Sequence, residues 1–192
     1  ESWDTGKPMS LAAAVDIPRA RDNFRFFAGA IRHESTGCHI MGTSQDGAIN
    51  YTLRKPVGVA GLITPWNLPL YLLTWKVAPA LAMGNTIVAK PSELTPISAT
   101  VLAEILDEAG VPRGVFNLVH GTGPDVGQPL VEHPDVPLIS FTGGTETGKI
   151  VAVAAAPLFK KLSLELGGKN PTIIFEDADM DSAVEQSLRA AF

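Results

Sequence analysis

From Val57 onward the chain alternates short apolar runs with longer stretches of helical periodicity, and that alternation leaves few folds open. A short apolar run bounded by turn residues reads as a strand covered on both faces. A helix returning between two such strands makes them parallel. The strand candidates are residues 58–63, 85–89, 114–119, 138–141, 161–166 and 172–175. The helix between the second and third covers 95–109: Thr95 stands at a capping position, Pro96 in the first turn, and Ile97, Val101, Leu102, Ile105 and Leu106 share a face. Gly110 and Pro112 stop it. Repeated βαβ units of this kind predict an α/β domain on a parallel sheet.

The first 56 residues read differently. Residues 1–8 form an entry turn, and 17–32 a helix with Pro18 in its first turn and Ile17, Ala20, Phe24, Phe27 and Ile31 on one apolar face. Residues 34–50 read as a polar connector and 51–57 as resumed strand alternation. The expected division is therefore a helical and connector piece over 1–56 and a larger domain over 57–192. A final helix begins near Asp179 and is still running at Phe192, so the sequence reads as an internal piece of a longer protein.

A formal net charge of −5 and a pI near 5.3 argue against a sequence-independent grip on nucleic acid or anionic lipid. Cys38 is the one cysteine, and its setting in the polar connector gives it no partner and no assigned role. His33, His39, His120 and His133 show no ligand spacing, and no metal is expected. A cytoplasmic, reducing setting is expected, although the start at Glu1 leaves an earlier targeting segment open.

Chemistry-bearing residues gather at the carboxy ends of the strand candidates, where open α/β sheets place their ligands. Glu165 ends one strand before Gly167 and Gly168; it reads as an acid or base, or as part of an ordinary strand-ending turn. Asn67, after Thr64, Pro65 and Trp66, reads as a side-chain donor or as the cap of the helix over 68–82. Lys90 and Glu93 follow another strand, as a ligand-binding pair or a solvated one. The turn over 121–127 misses the spacing of a dinucleotide fingerprint. Residues 141–148, Phe-Thr-Gly-Gly-Thr-Glu-Thr-Gly, would present a helix start with free N–H groups to a pyrophosphate.

The motifs at 64–67, 90–93, 141–148 and 161–170, in that chain order, resemble the cofactor domain of the aldehyde dehydrogenase superfamily, over the whole of residues 1–192. The resemblance implies a Rossmann-like parallel sheet, NAD as cofactor and a small aldehyde as substrate. It implies catalytic roles for Asn67 as oxyanion donor, for Glu165 as the base of thioester hydrolysis, and for Lys76 beside the proton relay, where composition alone suggests a snorkelling lysine. It implies a cofactor cradle of Ile63, Thr64, Pro65, Trp66 and Asn67, then Lys90, Ser92 and Glu93, then Gly123, Pro124 and Gly127. The cradle continues through Phe141, Thr142, Gly143, Gly144 and Thr145 to Glu165, Leu166 and Gly167. Lys90 and Glu93 would meet the ribose hydroxyls, and a carboxylate there would repel the 2'-phosphate of NADP. Family members commonly carry Ser where this chain has Gly144, which removes one hydroxyl donor.

The attacking cysteine of the family falls beyond Phe192, so the chain alone is expected not to turn over. Within the superfamily, 16–27, 66–76 and 162–177 look most like the 2-aminomuconate and 2-hydroxymuconate semialdehyde dehydrogenases. That likeness implies Arg19 as the ligand of a remote substrate carboxylate, with Tyr71 and Trp75 along the substrate passage. Betaine-aldehyde or general aliphatic aldehyde oxidation, and a non-catalytic dinucleotide-binding descendant, remain as alternatives. A homodimer or homotetramer is the expected assembly.

Overall fold

The computed structural model describes residues 1–42, 46–169 and 171–191. Five strands form one parallel sheet: β3 (Val59–Ile63), β4 (Thr86–Lys90), β5 (Phe116–Leu118), β6 (Leu138–Gly143) and β7 (Lys161–Leu166), in the order β5-β4-β3-β6-β7. The chain works outward from β3 to one edge and then restarts at β6 on the other side. The boundary between β3 and β6 is therefore the topological switch point of a doubly wound sheet, the place where such folds open a crevice. This is the expected α/β, Rossmann-like class.

Helices cover both faces. On one, α4 (Pro69–Ala82) and α5 (Ile97–Glu108) close a core of Ala60, Leu62, Leu73, Val77, Ile87, Ala89 and Leu102. On the other, α6 (Gln128–Glu132) and α7 (Thr145–Ala155) close Val131, Val136, Ile139, Phe141 and Val151. Period-2 alternation sends Leu62 to the first core and Gly61 to the second. A Cβ built on Gly148 in α7 would collide with the Leu166 side chain, so glycine there lets α7 lie against β7.

The N-terminal residues are more ordered than their composition suggests. Helix α1 (Ser2–Thr5) ends at Gly6 in the left-handed region (φ 74°), and α2 (Met9–Leu11) runs through a π-helical turn (Ala12–Asp16) into α3 (Ile17–Ala30). Pro18 thus lies just after a π turn in one continuous helical path. The buried residues of α3 are Ala20 and Asn23, and Asn23 donates its amide to the Thr74 hydroxyl at 3.0 Å and the Tyr71 carbonyl at 3.3 Å. Ile17 and Ile31 of the expected apolar face are exposed.

Four further expectations are corrected. The polar connector contains β1 (Cys38–Met41), paired antiparallel with β2 (Ala48–Tyr51), while 52–57 forms no strand; connector residues 43–45 lie outside the described set. Residues 172–175 form no strand, and Ile173 and Phe175 are exposed, because strand propensity needs a ladder partner to be realised. In α5 the buried face is Ser98, Ala99, Leu102 and Leu106, which leaves Ile97, Val101 and Ile105 on the surface. Leu162, in the 161–166 run read as a strand covered on both faces, is also exposed, because β7 is an edge strand.

The last helix, α8 (Met180–Ala191), starts where expected. Asp179 accepts from the N–H groups of Asp181 and Ser182, both at 3.1 Å. Phe192, like Asn170 of the glycine-bearing turn, falls outside the described residues.

Candidate active site

A cleft of about 630 Å³ opens at the carboxy ends of β3, β4 and β6, at the switch point. Its walls bring together residues far apart in the sequence: Ile63, Thr64, Pro65 and Trp66 after β3; Lys90, Ser92 and Glu93 after β4; Phe141, Thr142, Gly143 and Gly144 at the end of β6. Gly123, Pro124 and Gly127 line it as well. These three sit in a π-helical turn that Thr122 caps by accepting from the Asp125 N–H, so the motif that misses the fingerprint spacing still reaches the cleft.

Lys90 is buried and donates to the Glu93 carboxylate at 2.8 Å. That hydrogen bond holds the half-exposed Glu93 carboxyl below the usual carboxylate range. The pair is fixed at one end by the sheet, where the Thr64 N–H donates to the Lys90 carbonyl at 3.2 Å. The Thr64 hydroxyl is itself buried at the cleft and has no hydrogen-bond partner among the described residues. A buried hydroxyl in that condition suits a ligand acceptor or donor.

Gly143 and Gly144 lead into α7, with Gly144 as its N-cap in an extended conformation and no side-chain cap bond. The first N–H groups of α7 lack helical carbonyl partners, which leaves them to meet an anion. A Cβ on Gly143 would stand 2.5 Å from the Phe141 ring, so a side chain there would crowd the cleft floor. Thr145, Asn67, Glu165, Leu166 and Gly167, which the resemblance placed in the cradle, do not line this cleft. Thr145 begins α7 beside it, and Glu165 stands opposite Thr142 in the β6–β7 register.

Asn67 does not cap α4. The N-cap is Leu68, no side chain bonds the first turn, and Asn67 is exposed. Lys76 does not snorkel. Its side chain is buried under α4 and donates to the Ser140 hydroxyl at 2.8 Å. Burial pushes its ammonium down to about 8, and the negative charge of Glu165 works in the opposite direction. Glu165 is exposed near the carboxy end of β7. Strand periodicity puts Ser140, Thr142, Ser163 and Glu165 on the α4 face of the sheet, so a lysine, a carboxylate and three hydroxyls share it.

Arg19, Tyr71 and Trp75 also meet. The Arg19 guanidinium lies 5.3 Å above the Tyr71 ring centre, and the Tyr71 and Trp75 rings are 6.1 Å apart. Arg19 and Trp75 are exposed and Tyr71 is half-buried, where α3 packs against α4. Cys38, on the exposed hairpin, does not line the cleft.

Several cleft residues escaped the sequence reading: Gln128 and Val131 in α6, and Ile150 and Val151 in α7. Their signal is only helical spacing, which says that they share a face but not what that face meets. Ser140 as the partner of Lys76 was equally hidden, since 64 residues separate them.

Known proteins match the whole chain. The human 2-aminomuconic semialdehyde dehydrogenase is 58% identical over 192 residues, all of this chain and 39% of that protein. The 2-hydroxymuconic semialdehyde dehydrogenase of Pseudomonas sp. (strain CF600) is 54% identical over 194 residues, again all of this chain and 40% of that one. A double mutant of Staphylococcus aureus betaine aldehyde dehydrogenase, crystallised in complex with NAD+, superposes with a TM-score of 0.92 at 42% identity, covering 100% of this chain and 38% of that one. The chain thus spans about two fifths of the length of the curated relatives it matches. The model of the aldehyde dehydrogenase family matches residues 1–192, and the chain belongs to that family.

Proposed function

We propose that this chain supplies the cofactor site and the hydrolytic base of an NAD-dependent aldehyde dehydrogenase. Its substrate is a carboxylate-bearing semialdehyde of the 2-aminomuconate or 2-hydroxymuconate kind. The observation that carries the reading is the convergence of Lys90, Glu93, Gly143 and the start of α7 on one cleft. The donor set fits a dinucleotide: a carboxylate for ribose hydroxyls, unpaired helix N–H groups for a pyrophosphate, and an unpartnered buried hydroxyl at Thr64. Its lining by Glu93 favours NAD over NADP. Residues 57–192 then form the cofactor domain, and 1–56 a helical and connector piece leaning on it.

When bound, the dinucleotide supplies the hydride acceptor. Asn67, uncommitted to a helix cap, donates its amide to the oxygen that gains charge when a thiolate attacks the aldehyde. That thiolate comes from a cysteine outside these residues. Glu165 takes the proton of the water that hydrolyses the thioester. Lys76, buried beneath the same face with its ammonium lowered to about 8, can exchange a proton near neutral pH. Arg19 offers a planar pair of donors to the remote carboxylate of the substrate, steadied by the Tyr71 ring. A cytoplasmic homodimer or homotetramer completes the proposal.

The test is pre-steady-state kinetics of Glu165→Gln in the full-length protein. A burst of NADH followed by a stall with thioester retained is expected, because hydride transfer precedes the step that needs activated water. Steady turnover at the wild-type rate would remove Glu165 from this role.

A further inference from the structure

The first turn of α5 is capped from outside its own neighbourhood. Helix starts leave N–H groups without carbonyl partners and draw a nearby Ser, Thr, Asp or Asn to accept from them. Here the preceding residue is Pro96, which has no acceptor side chain, and the Thr95 hydroxyl is buried without a hydrogen-bond partner among the described residues. Instead Asp4, 93 residues upstream, accepts from the Ile97 N–H at 2.7 Å and the Ser98 N–H at 3.2 Å through one carboxylate oxygen. A carboxylate suits that place because the helix dipole is positive there.

The far end of this tether is itself held. Asp4 rides on α1, which is closed by Gly6. The next residue, Lys7, is pinned between Asp16 at 2.8 Å and Glu1 at 3.7 Å, with the Asp16 and Glu1 side chains almost wholly buried.

Between β4 and α5 lies the segment that carries Glu93. At its first end Lys90 is the last residue of β4. In the middle, the Ser92 hydroxyl accepts from the Leu94 N–H and the Ser92 carbonyl from the Thr95 N–H, both at 3.2 Å. At its second end stands the turn that Asp4 holds. Glu93 is therefore presented by a short, internally bonded turn clamped at both ends, and one clamp comes from the N-terminal piece.

We propose that Asp4 is a positioning residue for the nucleotide: by holding the start of α5 it fixes the Ser92–Glu93 turn against the cleft. The inference rests on the reading of Glu93 as a ribose ligand. Asp4 does not line the cleft, and neither do Ile97 and Ser98, whose N–H groups it accepts from. It lowers the ordering that the turn must undergo when a nucleotide binds, so its loss falls on cofactor affinity and selectivity and spares the chemical step.

The test is NAD titration of the full-length protein by quenching of tryptophan fluorescence, Trp66 being in the cleft wall, together with steady-state kinetics for both nucleotides. Asp4→Ala is expected to raise the NAD dissociation constant and KM by about fivefold and to narrow the preference for NAD over NADP, with kcat at saturating NAD kept. Asp4→Asn, which retains an acceptor oxygen, should stay within about twofold of wild type. If Asp4→Ala cannot be recovered folded, Asp4→Ser, whose hydroxyl is too short to reach both N–H groups, carries the same expectation. A lower melting temperature with unchanged NAD affinity and preference would make Asp4 merely structural and overturn the proposal. Glu93→Gln separates the two layers: no change in nucleotide preference there defeats the reading of Glu93. A relaxed preference there beside wild-type NAD binding in Asp4→Ala defeats the tether alone.

Discussion

Replacing Lys76 with Met tests the buried amine directly. The side chain is 5% exposed, and burial lowers its ammonium from 10.5 to about 8. A difference of that size costs the folded state about 3 kcal/mol whenever the group is charged in both states. Methionine has nearly the same length and needs no hydration, so it escapes that cost. It leaves the Ser140 hydroxyl without its partner, which returns about 1 kcal/mol. The net expectation at pH 7 is a gain of about 2 kcal/mol, or roughly 4–8 °C in melting temperature.

The sign with pH is as informative as the size. Below pH 8 lysine is protonated folded and unfolded, and the full cost is present. Between about 8 and 10.5 the unfolded chain binds the extra proton, so wild-type stability rises toward that of the variant. Thermal unfolding of both proteins from pH 6 to 10.5 should show a gap that is constant at low pH and closes above 8. A gap that stays level across that range, or a variant less stable than wild type at pH 7, would refute the desolvation argument.

Two further predictions concern recognition. Glu93→Gln removes the charge that would repel a 2'-phosphate while keeping the shape of the turn, so the ratio of kcat/KM for NAD over NADP should fall by about tenfold; an unchanged ratio would clear Glu93 of that duty. Arg19→Ala should raise KM for acidic semialdehydes by at least about tenfold, on the order of 1.5 kcal/mol for a lost charge-assisted pair, and leave neutral aldehydes nearly untouched. Equal losses on both substrate types would make Arg19 a structural partner of Tyr71.

Much of the site was written locally. The strand ends that bear Thr64, Lys90 and Phe141, the helix start after Gly144, and the pairing of Lys90 with a carboxylate three residues on all follow from short-range patterns. A strand-then-turn register depends on neighbours in sequence, and period-2 and period-3.6 patterns report them. The parallel sheet was legible for the same reason, since its alternation of strand and helix is a linear property of the chain.

What the linear pattern could not give is which surfaces would meet. The exposure of Leu162 and of Ile97, Val101 and Ile105 depends on which elements lie beyond β7 and α5, and periodicity marks a face without naming its cover. Residues 172–175 have strand composition and no ladder, because strand bonds are made with a partner. Lys76 was read as snorkelling from its own helix. Only the passage of β6 beneath α4 supplies Ser140 and seals the amine from water, which is why its proton affinity is a tertiary property. Asp4 is the clearest instance: the sequence offers Thr95 as the cap of α5, and the tertiary fold alone decided that a carboxylate 93 residues away would accept from the helix start instead, because hydrogen bonds are satisfied by proximity in space.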